Sequence, residues 1–309
     1  MVVSFLMLIA GFILLIKGSD LFVDGVSSVA KMIGIPSVIV GLTIVSMGTS
    51  APEAAVSIAA GINGSNEIAI SNLVGSNIFN ILCVAGASAA IMPFAVDKVV
   101  LKRDFPVCIA IMVAAIVMCL DGNVSRLDGV LLLLFFIAYM IYLVYDAVKR
   151  RISEESDEKL LSPVRSAVYI VIGIAAIIAG APIVVSAAKN IAYAFGMSET
   201  MVGFTIVAIG TSLPELIVSV VAAHKGESGI AIGNVVGSSI FNISFILGIS
   251  AAANPIAVVD ESMRDLLLML GVAILAFIFC ITQRKLNRTE GIALLAIYVA
   301  YTTYLIISI

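Results

Sequence analysis

The chain has 309 residues, 17 Lys and Arg against 20 Asp and Glu, and a net charge of −3; 61% of it is hydrophobic and 12% charged. A soluble fold of this length has nowhere to hide so much apolar side chain, so the composition excludes an ordinary soluble domain and gives a polytopic membrane protein. The net charge says nothing about nucleic acid, and no basic stretch interleaved with aromatics suggests such a partner, so the lipid bilayer is the surroundings expected.

Apolar runs of about 20 residues, enough to span a bilayer, lie near 2–30, 36–62, 67–92, 104–120, 127–147, 166–192, 198–223, 228–253, 264–282 and 291–308. The first lacks a basic leader and a cleavage site, so it is expected to be a membrane helix and not a signal peptide. Its Lys17 and Asp20 stand i, i+3 and can pair within the helix, with Asp24 one turn on. Ten spans divide into five per half: 1–148, a linker at 149–164, and 165–309. An odd number of spans per half makes the second half enter the membrane in the opposite sense.

The basic residues fix an orientation. With the N-terminus outside, inner loops hold Lys31; Lys98, Lys102 and Arg103; Lys149, Arg150, Arg151, Lys159 and Arg165; Lys225; and Arg284, Lys285 and Arg288. Outer loops hold only Arg126, Lys189 and Arg264. The positive-inside rule then places both termini outside the cell membrane and the central loop in the cytoplasm. That loop carries Glu154, Glu155, Asp157 and Glu158, but lacks the spacing and turn glycine of a calcium loop, so it is a solvated linker. His224, at a helix end beside Lys225, is expected to be solvated. Cys83, Cys108, Cys119 and Cys280 are scattered through apolar segments and carry neither disulfide nor metal-site spacing.

The two halves share a long duplicated stretch. Residues 40–86 and 202–248 align without a gap at an offset of about 162, agreeing at about 26 of 47 positions. Each copy sets one carboxylate, Glu53 or Glu215, in a segment otherwise suited to hydrocarbon, where an acid marks a functional site by default. Ser46, Ser50, Glu53 and Ser57 form one helical stripe, matched by Ala208, Ser212, Glu215 and Ser219. The next helix adds Ser76 and Asn80 on one face, and its counterpart adds Ser238 and Asn242. Oxygen donors, two carboxylates and no imidazole or thiolate suit Ca2+, Na+ or Mg2+ and not zinc or copper. Pro52 and Pro214 withhold the N–H that Gly48 and Gly210 would accept, so the helices should break there and turn carbonyls of 46–49 and 208–211 toward the cavity. Ser71/Gly75 and Gly233/Gly237 are small-residue pairs assigned to helix packing.

Gly48-Thr-Ser-Ala-Pro-Glu53 with Gly75-Ser-Asn-Ile-Phe-Asn80, repeated as Gly210-Thr-Ser-Leu-Pro-Glu215 with Gly237-Ser-Ser-Ile-Phe-Asn242, resembles the repeats of the sodium/calcium exchanger family, within the calcium/cation antiporter superfamily. The resemblance covers essentially the whole chain and is to small prokaryotic members, which lack a large regulatory loop. It implies calcium binding by Glu53 and Glu215 with the backbone carbonyls of Thr49 and Thr211. It also implies sodium sites around them at Ser46, Ser50, Ser76, Asn80, Ala208, Ser212, Ser238 and Asn242. Asn242 stands where some members, potassium-dependent ones included, have aspartate, which disfavours potassium co-transport; Ser239 stands where the first repeat has Asn77 and is set aside. The expected fold class is an all-α polytopic membrane protein, its ten helices forming two inverted repeats, with helices 2, 3, 7 and 8 broken at the ion site.

The function that follows is antiport of Na+ against Ca2+ by alternating access, the two ions competing for the glutamates, with no cofactor and a monomer sufficient. The resemblance further implies that helices 1 and 6 move across the core. Calcium/proton antiport is the nearest alternative, although that branch carries Gly-Asn-x-x-Glu in place of Gly-Thr-Ser-x-Pro-Glu. A passive cation channel is a more distant one, since inverted halves around a buried charge favour a carrier. No nucleotide loop, HExxH pair or GxSxG elbow points to an enzyme.

Overall fold

In a computed structural model of the chain, residues 1–149, 160–197 and 208–308 are described. They form α1 (Val2–Ile33), α2 (Ser37–Thr49), α3 (Ala51–Ile62), α4 (66–91), α5 (100–118), α6 (Arg126–Lys149), α7 (Pro163–Ala194), α8 (Ala208–Thr211), α9 (Leu213–His224), α10 (Ser228–Ala253), α11 (Asp260–Gln283) and α12 (Arg288–Ser308). Among the described residues seven helices are long and apolar enough to cross a membrane, and an eighth span results if α2 and α3 are taken together. Exposed Leu, Ile, Val and Phe cover α1, α6, α7 and α12, the surface expected of helices bathed in lipid.

Backbone proximity organises the packing. Gly11, Gly18 and Gly25 recur every seven residues on α1 and meet α7. A Cβ on Gly18 would lie 2.9 Å from the Gly173 carbonyl oxygen, and one on Gly25 would lie 2.9 Å from that of Ser166. Helices without side chains at their crossing come close enough for van der Waals contact between backbones, which is how apolar helices associate where burial from water gives no drive. The small-residue pair on α10 acts likewise: Gly233 sits against the Val38 carbonyl and Gly41, and Gly237 against Leu42 of α2. Around Gly75 nothing among the described residues lies within 4 Å of a Cβ. α10 is the innermost element, buried continuously from Ile230 to Phe241.

Two-residue strands modify the all-α expectation. β1 (Phe94–Ala95) pairs antiparallel with β4 (Lys285–Leu286), and β2 (Asn123–Val124) with β3 (Ile256–Ala257). Adding 162 to the pair Phe94↔Leu286 at one member and subtracting it at the other returns Ile256↔Val124, so each clip is the repeat image of the other.

The expected breaks differ in kind between helices. α2 and α3 meet at Ser50 with a 55° bend, and α8 and α9 are interrupted at Ser212. Ser50 (φ −82°, ψ 10°) and Ser212 (φ −91°, ψ 7°) share one conformation. α4 and α10, also expected to break, instead run on through π turns at Asn80–Val84 and Asn242–Ile246. One inserted residue widens the helix there without freeing a whole turn of carbonyls. π turns also occur within α2 at Gly41–Val45 and at the start of α5 at Val100–Asp104, so that α5 begins earlier than the apolar run at 104–120 suggested.

Candidate functional site

Each interruption, at Ser50 and at Ser212, is followed by a glutamate at a helix start. Pro52 falls in the first turn of α3 and Pro214 in the first turn of α9, where a missing N–H costs nothing because no carbonyl precedes it in the helix. Glu53 and Glu215 lie in those same first turns, at the electropositive ends of the two short helices. Both are almost wholly buried, at 1% exposure.

The glutamates are strapped crosswise. The Ser212 hydroxyl donates to Glu53 Oε1 at 2.8 Å, and the Ser50 hydroxyl donates to Glu215 Oε1 at 2.7 Å. Ser50 Oγ also lies 2.9 Å from Ser238 Oγ on α10. One oxygen of each carboxylate is thus fixed by the opposite half, while Glu53 Oε2 and Glu215 Oε2 have no hydrogen-bond partner among the described residues.

Further unsatisfied atoms come from the flanking helices. Ser76 Oγ, both amide atoms of Asn80 and Asn242 Oδ1 are buried without hydrogen-bond partners among the described residues. A buried polar atom left unpaired costs roughly 1–3 kcal/mol, so a group of them on three predicted site residues and the two glutamates marks a candidate ligand site. The oxygens among them suit a desolvated hard cation.

The other predicted residues fall around this centre. Ser46 is buried, donates to the Thr43 carbonyl at 3.1 Å and faces Gly237, one residue from Ser238. The Thr49 hydroxyl lies 3.0 Å from Asn234 Oδ1 and 3.1 Å from the Val45 carbonyl, so toward an ion it leaves the backbone carbonyl. Thr211 ends α8 directly before the Ser212 interruption, and Ala208 begins α8. Ser57 and Ser219 stand one layer back: Asn72 donates to Ser57 Oγ at 2.8 Å and Asn234 to Ser219 Oγ at 2.9 Å.

Asn72 and Asn234 are the residues that motif reading passes over. Their signal is in the sequence, since both are asparagines in apolar helices at an offset of 162. Asn77 is a second omission. It accepts from Asn242 Nδ2 at 3.1 Å and donates to Met269 Sδ at 3.4 Å, whereas Ser239 in the other copy donates to the Val235 carbonyl at 3.0 Å. Among the described residues the two π-turn asparagines are held differently: Asn80 has no hydrogen-bond partner, and Asn242 is held on one side.

Outside this centre, charged groups pair near helix ends. Lys225 binds Asp24 at 2.7 Å and Asp20 at 3.3 Å, Lys31 binds Glu227 at 3.0 Å, and Ser27 donates to the same Glu227. Lys17 and Asp20 stand 3.8 Å apart, the pairing their spacing suggests.

Comparison with known proteins agrees over the whole chain. Residues 3–145 and 165–307 match the family model described as sodium/calcium exchanger protein. The chain is 34% identical to the sodium/calcium exchanger MaX1 of Methanosarcina acetivorans, covering 99% of each. It is 36% identical to the inner membrane protein YrbG of Escherichia coli (strain K12), over 96% of this chain and 94% of that one. Among solved structures, the sodium-calcium exchanger NCX_Mj soaked with zero Na+ and Ca2+ superposes with a TM-score of 0.86 at 35% identity, covering 98% of this chain and 99% of that one.

Proposed function

This chain belongs to the sodium/calcium exchanger family, and on that premise we propose that it exchanges Na+ for Ca2+ across the cell membrane at a single site built on Glu53 and Glu215. The observation that carries the reading is the pair of buried carboxylates, each with one oxygen strapped by a serine of the opposite half and the other oxygen open. Two carboxylates carry −2, which one Ca2+ balances. Na+ ions take the same oxygens with Ser46, Ser50, Ser76, Asn80, Ala208, Ser212, Ser238 and Asn242 around them, while the Thr49 and Thr211 carbonyls complete the calcium shell. The ions are close in radius, so charge and ligand geometry select between them. Shared glutamates forbid both cargoes at once, and that exclusion couples one gradient to the other.

The architecture proposed with it is ten spans in two inverted halves, 1–148 and 165–309, joined by 149–164, with both termini outside and one chain sufficient. Three observations support it: the two clips related by the repeat offset, the matching Ser50 and Ser212 conformations, and the crossed serine straps. Alternating access then moves α1 and α7, which touch backbone to backbone through Gly11, Gly18 and Gly25, as one body across the ion-binding helices.

The test is calcium uptake into proteoliposomes under an outward sodium gradient and, separately, an outward proton gradient. Uptake driven by sodium with trans-stimulation supports the exchanger; uptake driven by protons alone overturns the sodium sites; uptake without counterflow identifies a passive pathway.

A further inference from the structure

Three fully buried side chains run in contact from α11 through α4 to α10: Met269, Asn77 and Asn242. Their chemistry gives the series a direction. A thioether sulfur has no hydrogen to donate, so the Asn77 amide turns its Nδ2 to Met269 Sδ, at 3.4 Å. The other end of the same amide, Oδ1, then faces α10. Being an acceptor, it takes a hydrogen bond from Asn242 Nδ2 at 3.1 Å. With its nitrogen engaged, Asn242 has Oδ1 left to offer, and that oxygen is buried with no hydrogen-bond partner among the described residues. A hard cation binds the amide oxygen and is repelled by the amide N–H groups, so which end faces the ion decides whether Asn242 helps or hinders.

We propose that Asn77 is a positioning residue, which holds the Asn242 amide with its oxygen toward the transported sodium ion. This assignment rests on the exchanger reading, in which Asn242 is a sodium ligand. Asn77 acts on the ion only through Asn242, and Met269 acts one step further back by deciding which end of Asn77 faces which neighbour.

The other half of the chain is built differently at the same three places. Ser239 stands where the first half has Asn77, and its shorter side chain donates to the Val235 carbonyl of its own helix at 3.0 Å. Past the Val100–Asp104 π turn, which α11 lacks, the repeat offset becomes 161, so Met269 corresponds to Cys108. Cys108 lies against Ser239 as Met269 lies against Asn77. A thiol both donates and accepts, and a hydroxyl rotates, so neither dictates a direction. Neither atom of the Asn80 amide has a hydrogen-bond partner among the described residues, and nothing there presets which end it offers. Scaffold symmetry therefore does not account for Asn77: one asparagine of the pair is preset and the other adapts.

Proteoliposomes loaded with calcium test this. Radioactive calcium uptake at rising external sodium gives the sodium concentration that halves uptake, and without sodium the same vesicles report calcium–calcium exchange. Wild type, Asn77→Ser, Asn242→Asp and the double variant form a double-mutant cycle. Asn77→Ser installs the residue that the scaffold accepts at the matched position and removes the acceptor for Asn242 Nδ2. Turning the Asn242 oxygen to sodium then strands a buried donor, so half-inhibiting sodium should rise roughly 10- to 100-fold. Calcium–calcium exchange should persist, because the proposed calcium shell is the two glutamates and the Thr49 and Thr211 carbonyls. A carboxyl group carries an oxygen on each side, so in the Asn242→Asp background adding Asn77→Ser should change half-inhibiting sodium by less than about twofold. Equal sodium losses in the two backgrounds, or loss of calcium–calcium exchange in Asn77→Ser, make Asn77 a packing residue and overturn the proposal. Sodium inhibition unchanged by Asn77→Ser overturns it as well. A wild type whose calcium uptake sodium does not inhibit overturns the exchanger reading itself, and this assignment with it.

Discussion

Replacing Glu53 by glutamine isolates one charge while keeping the shape of the site. The amide carbonyl can still accept the Ser212 hydroxyl that reaches Glu53 Oε1 at 2.8 Å, so the strap survives. What is lost is the ionic attraction. Two unit charges about 4 Å apart interact by about 4 kcal/mol at an effective dielectric near 20, so a divalent ion loses about 8 and a monovalent ion about 4. Halving both, for the dehydration of the carboxylate that no longer has to be met, leaves about 4 and about 2 kcal/mol. Those figures correspond to roughly 1000-fold weaker Ca2+ and roughly 30-fold weaker Na+. The assay is sodium-driven calcium uptake over a range of calcium concentrations, with thermal unfolding in ion-free detergent as the folding control. Because glutamine removes a buried charge, the variant should unfold no lower than wild type. A folded variant whose calcium affinity stays within about tenfold of wild type, a 1.4 kcal/mol effect, refutes the assignment of Glu53 to the ion.

Other expectations follow from the same geometry. Calcium at about 100 times its Kd should stabilise the wild type by about 2.7 kcal/mol, seen as a raised Tm, and the shift should vanish in Glu53→Gln. Ser50→Ala removes contacts to both Glu215 and Ser238, whereas Ser212→Ala removes one contact to Glu53. Hydrogen bonds to charged groups contribute about 1.5–3 kcal/mol, so half-saturating calcium should rise roughly 10- to 100-fold, more for Ser50→Ala. In Gly173→Leu the new Cβ would meet the Gly18 carbonyl and the Phe22 backbone nitrogen at 2.7 Å, forcing α1 and α7 apart. The expected cost is about 1–3 kcal/mol in detergent unfolding, with Gly271→Ala, open within 4 Å, as the silent control. Arg103→Met strands the buried Asp104 and should cost about 3–5 kcal/mol, while Lys225→Ala, which removes partly exposed pairs, should cost less than about 1 kcal/mol.

What could be seen in the sequence was whatever the duplication and the residue chemistry display together. The paired motifs drew attention to both glutamates, to the interruptions at Ser50 and Ser212 and to the flanking Ser76 and Asn242, because a carboxylate or an asparagine in a hydrocarbon segment stands out by its cost. The small-residue pair at Gly233 and Gly237 was legible for the same kind of reason. The π turns were not, since one inserted residue leaves no mark in composition; α4 and α10 accordingly run through where breaks were anticipated. Asn77 escaped because repeat logic discounts a position where the copies disagree, and its contact with Asn242 depends on that disagreement. The start of α5 was missed because Lys102, Arg103 and Asp104 look too polar for a membrane helix until Arg103 is seen folded onto two carboxylates. The clips joining β1 to β4 and β2 to β3 are tertiary, two residues long, and below any periodic signal.

The crossed straps carry a consequence for how the two halves can change over time. Ser50 serves Glu215 and Ser212 serves Glu53, so a substitution in one half is first felt by the acid of the other. Neither copy can drift alone: a compensating change for a lost serine must arise some 160 residues away, in the bend of the opposite repeat. Asymmetry is therefore confined to positions outside the exchange, such as Asn77 against Ser239 or Ser46 against Ala208. Divergence after duplication is free at the periphery of the site and inherited jointly at its centre.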